Sequence, residues 1–568
     1  MRVHNCLRWA SRVISLLFAS AACAAAVVAP AFAQTATDTL DRLDRLAARA
    51  HAFEAMPGFD RTRLSSVGRN LAAFADRWEA MRSASAPAPV SGGAGAITAS
   101  ARASSKPASQ PSLTQSRYAG FTQSQTSTAW CGDNVLTAFN DTGSQIRTIA
   151  GTAGISVVGL SASSDRGARF TYMGTPPPTA SFYQSLLGAP TVACADSSTF
   201  FYSAIWSDTQ ANISGVALGK SSDGGATFGV PALAVSKNGW TNLIDHDWLA
   251  IDPNNHSAMY LTYADLDFSG TFCGTDPSSR SSIPRYAIEL VTSQDGGATW
   301  STPTVIEQVC AGAASPWAAV IGPQVAVGPQ GQVYVAYEAA GENGAAATAR
   351  QIRLAASNNG GVSFGVPTIV AAVTPVGDGA DLQGFVRANE FPSLAIGKGP
   401  KNPGVVYLAW SNGAVSIADT LTTTASYAFA DIEFSSSADG GNTWSAPVRV
   451  NNNPKSGSGP LNDQFEPALG ADQKGDLAIC FYDRRRDPNN FLIDRECAKS
   501  TDGGASWSNK RITKQSFGAV VGQDRFVAPD YMGDYDTVAT DSTGSEAGFV
   551  DSYASNAAGN PNVMCHKE

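Results

Sequence analysis

Six copies of one eight-residue phrase constrain this chain more than any other feature. SSDRGARF starts at Ser163, SSDGGATF at Ser221, SQDGGATW at Ser293, SNNGGVSF at Ser357, SADGGNTW at Ser437 and STDGGASW at Ser500. Successive starts lie 58, 72, 64, 80 and 63 residues apart. Recurrence on this scale marks a repeat architecture. Four strands of about five to six residues, with their loops, fill each interval. In the phrase S-x-D-x-G-x-x-W/F, the side chain of Asp165, Asp223, Asp295, Asp439 or Asp502 accepts hydrogen bonds from turn N–H groups. The second glycine takes a positive φ, and the aromatic residue packs between layers. Asn359 replaces Asp in the fourth copy. It still accepts but carries no charge, which suits a structural bond and not acid chemistry. Each box is therefore expected to lock a hairpin. The literal G-x-S-x-G at Gly361–Gly365 lies inside the fourth box, with no helix after it, so it is not a nucleophile elbow.

A second repeat precedes each box: a pair of apolar strands with aromatic ends. The pairs occupy 127–141, 191–208, 248–265, 325–339, 393–410 and 468–483. A seventh, at 537–553, has no box after it. Fully apolar inner strands suit sheets stacked radially around an axis, which predicts an all-β propeller of four-stranded blades. The seventh pair favours seven blades over six plus an elaborated terminus. Arg117 to Gln123 is the expected source of the outer strand that closes the ring.

The propeller is expected over 115–568. Ahead of it, Arg2, Arg8 and Arg12, an apolar run and Ala31-Phe32-Ala33 read as a signal peptide over 1–33. Leu40, Leu43, Ala47, Ala50 and Phe53, then Leu64 to Met81, fall at helical spacing, giving a short helical extension over 34–83. Residues 84–114 are an Ala/Ser/Pro/Gly linker. A secreted or periplasmic chain without a membrane span, monomeric, is the expectation. The formal charge of the whole chain is −9, with 15% charged residues, which argues against a nucleic-acid partner. Seven cysteines follow the signal. Cys480–Cys497 is the first expected disulfide; Cys131–Cys194 and Cys273–Cys310 are further pairings. No C-x-x-C occurs and only five histidines are present, so neither a metal site nor a cofactor is expected; His246 between two acids is only a fragment of one.

The six boxes resemble the Asp-box (BNR) repeats of sialidases and their relatives, over about 430 to 450 residues. That resemblance implies boxes on the rim away from the active site, and chemistry at the other pole, where loops enter the first strands and leave the second strands. It implies an exported glycosidase of exo-α-sialidase type acting on acidic sugars, with a glycan or acidic polysaccharide as partner. On this basis Arg387, Arg484 and Arg485 hold a substrate carboxylate, Asp247 is the acid/base, and Tyr535 is a nucleophile with Glu390 next to it. The R-I-P motif of sialidases does not occur here. A non-catalytic propeller that binds glycan or protein at the same mouth, and a polysaccharide lyase using Tyr or His as base, are the alternatives.

Overall fold

The computed structural model describes residues 29–55, several positions between 72 and 80, Lys106–Pro107 and most of 122–567. Residues 1–28 of the expected 1–33 signal peptide, and nearly all of the expected 84–114 linker, lie outside the described residues. The chain is a seven-bladed β-propeller of antiparallel sheets. Blade one is built from 123–131, 134–141, 158–163 and 171–174. Blades two to six repeat that order, each with its box on the turn after the third strand. Blade seven takes three strands from the C-terminal end of the chain, 537–539, 550–555 and 562–567.

Its outer strand comes from the N-terminal side, but not from Arg117 to Gln123. Lys106 and Pro107 pair with Cys565 and Met564, while Gln123 opens the inner strand of blade one. The ring thus closes through a segment whose composition reads as linker. Two ladder residues are too few to leave a strand periodicity in the sequence.

The boxes are hairpin locks. In the second, Ser221 Oγ donates to Asp223 Oδ1 at 2.7 Å and accepts the Gly225 N–H at 3.0 Å. Asp223 then accepts the Thr227 N–H and hydroxyl, at 2.9 and 2.6 Å. Gly225 has φ 86°, where only glycine is unstrained. The boxes around Asp295, Asp439 and Asp502 repeat the scheme, and at Asp165 the Arg169 guanidinium donates in place of the hydroxyl, at 2.8 Å. Asn359 keeps the accepted bond from the Ser363 N–H but donates from Nδ2 to the Ser363 hydroxyl, at 2.8 Å. The bond survives with its direction reversed, as an uncharged structural role allows.

A third repeat, absent from the sequence reading, lies on the inner strands. Five of them are broken by a bulge at the same place, with φ near +55° at Gln125, Ala189, His246 and Glu466, and at Gly322 with φ 68°. The next residue is Pro190, Pro323 and Pro467 in three of these blades and Pro392 at the matching place in blade five. A bulge leaves its extra residue unpaired, so proline, which has no N–H, fits there. One residue further on, a side chain accepts an N–H from the following blade. Ser127, Thr191, Gln324, Ser393 and Thr537 accept from Val192, Leu249, Leu394, Leu469 and Thr128, at 2.7 to 3.1 Å. The two gaps in this belt fall at Trp248 and Ala468, which have no acceptor. Between blades sit apolar cores such as Phe201, Ile205, Leu249, Leu261 and Met259.

All three expected disulfides are formed. Cys480 and Cys497 are direct cross-strand partners in blade six. Cys131–Cys194 ties the ends of the first two inner strands, and Cys273–Cys310 ties a blade-three loop to the outer strand. Cys565 is free and buried. The helix of the N-terminal extension spans Ala29–Glu54. It docks by Arg49, which donates to Ser207 Oγ at 2.7 Å, and by Phe53, whose ring lies 5.9 Å from Phe268. No described helix is long and apolar enough to cross a membrane.

Candidate active site at the axial pole

Each box follows a third strand, so antiparallel order puts every box at the end where first strands finish. The bulges lie near the opposite end, where first strands begin. Their ring places Gln125, Ala189, His246, Gly322, Phe391, Glu466 and Tyr535 at equivalent positions. The next position, proline in four blades, is Thr126, Asp247 and Asp536 in blades one, three and seven. Two acids therefore stand where four other blades carry a proline.

Asp247 is fully buried. Ser203 Oγ donates to its Oδ2 at 2.5 Å, and its Oδ1 has no hydrogen-bond partner among the described residues. Burial pushes its carboxyl up to about 8. His246 beside it is also buried, with neither ring nitrogen hydrogen-bonded to any described residue; burial lowers it to about 4, so it is neutral at pH 7. Its ring meets the edges of Phe391 and Tyr535 at 5.1 Å each. Tyr535 also meets Trp248 at 5.2 Å and donates its hydroxyl to the Pro190 carbonyl at 3.2 Å. Burial, and then the charge of Asp247, raise its phenol well above 10.

Asp536 accepts from Thr126 Oγ1 at 3.0 Å and pairs with Arg495 at 3.2 Å. Burial lifts it to about 6 against the pull of that guanidinium. Arg495 is itself buried, clasped by Asp551 at 2.7 and 3.0 Å and stacked near the Tyr482 and Tyr553 rings. Glu466 completes the group. Burial, then the charges of Asp536 and Asp534, hold its carboxyl well above the ordinary range, and its Oε1 has no hydrogen-bond partner among the described residues. Glu466 and Asp536 lie in stretches expected to line the mouth, 463–466 and 530–536, without an assigned role, whereas no sequence pattern marks Arg495 and Asp551. The signal that points to two of them is the bulge motif, in which Glu466 precedes Pro467 and Asp536 replaces the proline.

The expected carboxylate-binding arginines are scattered among internal partners. Arg387 pairs with Asp534, and its N–H donates to the Asp530 carbonyl at 2.9 Å. Arg484 is buried against Asp463 at 3.4 Å, which also takes Tyr427 and Asn490, each at 2.6 Å. Arg485 is held by Asp483 at 2.6 Å and Asn452 at 2.5 Å. Glu390 pairs with Arg350 and accepts the Val376 N–H at 2.9 Å. Asp247, Tyr535 and His246 are thus one contact group; Arg387 reaches it through Asp534, two residues from Asp536; Glu390, Arg484 and Arg485 belong to neighbouring ion pairs. A cleft lined by Asp472, Lys474, Asp476, Lys499 and Phe549 lies at the box end and holds none of these groups.

No protein-family model matches the chain, and no curated protein matches it in sequence. Among solved structures, the Hadza microbial sialidase Hz136 is 14% identical at a TM-score of 0.39, over 73% of this chain and 74% of that one. The GH93 α-L-arabinofuranosidase of Fusarium graminearum in complex with arabinobiose is 12% identical at 0.40, over 66% and 92%. The intramolecular trans-sialidase from Ruminococcus gnavus is 14% identical at 0.37, over 68% and 95%.

Proposed function

We propose that the chain is an exported glycoside hydrolase working at the axial pole, with Asp247 as the proton donor to the leaving oxygen. The observation that carries this reading is the state of Asp247: a carboxyl held up to about 8, one oxygen fixed by Ser203 and the other without a hydrogen-bond partner among the described residues. Glycoside hydrolysis needs one carboxyl protonated and another ionised at the same pH, and their environments set the two roles. Asp536, at about 6 beside Arg495, suits the ionised partner. A phenol raised well above 10 is a poor nucleophile until a base takes its proton, so the balance favours carboxyl chemistry over a Tyr535 nucleophile.

Arg387, Arg484 and Arg485 each already face a carboxylate. A substrate carboxylate competes with those partners, which favours a neutral sugar at the reacting position over the acidic sugar the resemblance implies. The full burial of Asp247 favours one second reading, a glycan-binding propeller without turnover.

Both readings meet the same experiment. The chain is assayed for sugar release from a panel of neutral and acidic aryl glycosides and polysaccharides, beside Asp247→Asn. The hydrolase reading expects turnover that falls about 10²-fold or more in the variant, with a bell-shaped pH profile. Its acid limb lies near 6, where Asp536 protonates, and its alkaline limb near 8, where Asp247 loses its proton. No release from any substrate, or release undiminished in Asp247→Asn, sinks it.

A further inference from the structure

Phe385 and Phe491 are exposed at 78% and 50%, with Leu492 beside them at 45%. Phe385 sits at the tip of a short hairpin in which Asp381 and Leu382 pair with Arg387 and Val386. Its backbone is left-handed, φ 58°, an uncommon state for a bulky residue. Gly384 before it has φ 83°, and a Cβ there would stand 3.2 Å from the Phe491 ring. The second phenylalanine therefore lies against the first one's turn.

Both turns are pinned to one buried carboxylate. Asp463 accepts the Tyr427 hydroxyl, which in turn accepts the Gln383 N–H at 3.1 Å. Asp463 also accepts from Asn490 Nδ2 at 2.6 Å, and its own N–H donates to Asn490 Oδ1 at 2.9 Å. Asp487 then accepts the Phe491 and Leu492 N–H groups, at 2.9 and 2.8 Å. Two large apolar rings are thus held out into solvent by a buried polar frame. The hairpin carrying Phe385 runs straight into Arg387, which pairs with Asp534 beside the axial acids.

We infer that Phe385 and Phe491 form a stacking platform for a sugar ring of a glycan chain that leads to the axial pole. This rests on the glycosidase reading. The size of the patch selects the occupant: three partly exposed apolar side chains offer roughly 300 Å², well below the ~800 Å² per partner of a stable protein interface. The apolar face of a pyranose or furanose ring matches the face of an aromatic ring in size and polarity. The arginines nearby are already paired, so the platform's ligand is recognised by ring faces and not by charge.

Affinity electrophoresis of the full chain in gels containing arabinan, arabinoxylan, galactomannan, pectin or colominic acid tests the platform. Wild type is expected to be retarded in at least one gel. Phe385→Ala/Phe491→Ala is expected to lose about ten-fold or more in affinity there, with an unchanged melting temperature, since neither ring is in the core. Phe385→Tyr/Phe491→Tyr, which keeps both rings, is expected to bind as wild type. No retardation in any gel, equal retardation of the alanine variant, or loss in the tyrosine variant overturns the platform. Sugar release measured on the same proteins separates the two readings. Binding through the rings with no release overturns the hydrolase alone. Release whose KM is indifferent to the alanine pair overturns the platform alone.

Discussion

Asp247 occupies a backbone position that four other blades give to proline, and its carboxyl stays protonated because water cannot reach it. That state has a thermodynamic consequence independent of any substrate. Asp247 titrates near 8 when folded and near 3.9 when unfolded. Between those values the native state holds a proton that the unfolded chain has lost, so stability falls as pH rises from about 4 to about 8. Asn at this position carries no proton to lose and still accepts from Ser203. We expect Asp247→Asn to be more stable than wild type at pH 8 by a few kcal/mol, about what several pKa units imply, and equal to it near pH 4. Denaturant melts at the two pH values check this. Equal stability at both would mean that the Asp247 proton is lost well below pH 8. A variant that gains stability while losing turnover is the signature of an acid kept neutral for chemistry.

The boxes show the opposite carboxylate physics at the scale of a turn. The Thr227 side chain first, then Ser221 and backbone N–H groups, hold the exposed Asp223 down to about 2. Its contribution is present above about pH 4 and is lost as pH falls toward 2. Asp223→Ala removes acceptors for Ser221 and for the Thr227 N–H and hydroxyl, and is expected to cost about 1 kcal/mol. Asp223→Asn is expected to cost less than half of that, because Asn359 shows how the amide is accommodated. Melting curves of the two variants decide; an asparagine variant as damaged as the alanine one would make charge, and not the bond, the purpose of the box. The locks were legible in the sequence because all their partners lie within eight residues. The bulge ring was less so. Gln125, His246 and Glu466 adopt positive φ without being glycine, and only the recurring proline after the bulge marks the position. The ion pairs were illegible: Arg387 and Asp534 are 147 residues apart, and no local pattern records which acid a distant arginine meets. Arginines that read as a substrate clamp are, in the folded chain, matched by internal acids.

Propellers must hold their first and last blades together, and here the N-terminal and C-terminal parts of the chain meet through a strand pairing and a set of hydrogen bonds. Lys106 and Pro107 complete blade seven, and Thr128 on blade one donates its N–H to Thr537 on blade seven at 2.7 Å. The helix Ala29–Glu54 adds a separate contact. Arg49 reaches Ser207, Phe53 enters the core with Leu243 and Phe268, and Leu43, Leu46 and Ala50 pack with Ile155. Ser207 ends a second strand, Leu243 begins a first strand, and Ile155 lies between the second and third strands of blade one; all three are therefore at the axial-site end. The helix ends at Glu54 and the closing strand begins at Lys106, so they can be removed one at a time. A chain starting at residue 84 loses the helix, exposes its apolar seat on blades one to three, and keeps the closing strand. A chain starting at residue 111 loses both and leaves the edge of 562–567 unpaired along its Cys565 and Met564 positions. We expect the first truncation to lower the melting temperature by a few degrees. The second is expected to lower it further and to associate through the open edge, seen as a larger species in size-exclusion chromatography with light scattering. Identical behaviour of the two truncations would show that Lys106–Pro107 contributes nothing to closure, leaving the Thr128–Thr537, Thr126–Asp536 and Gly132–Asp541 bonds and the apolar contacts between blades one and seven to hold the ring.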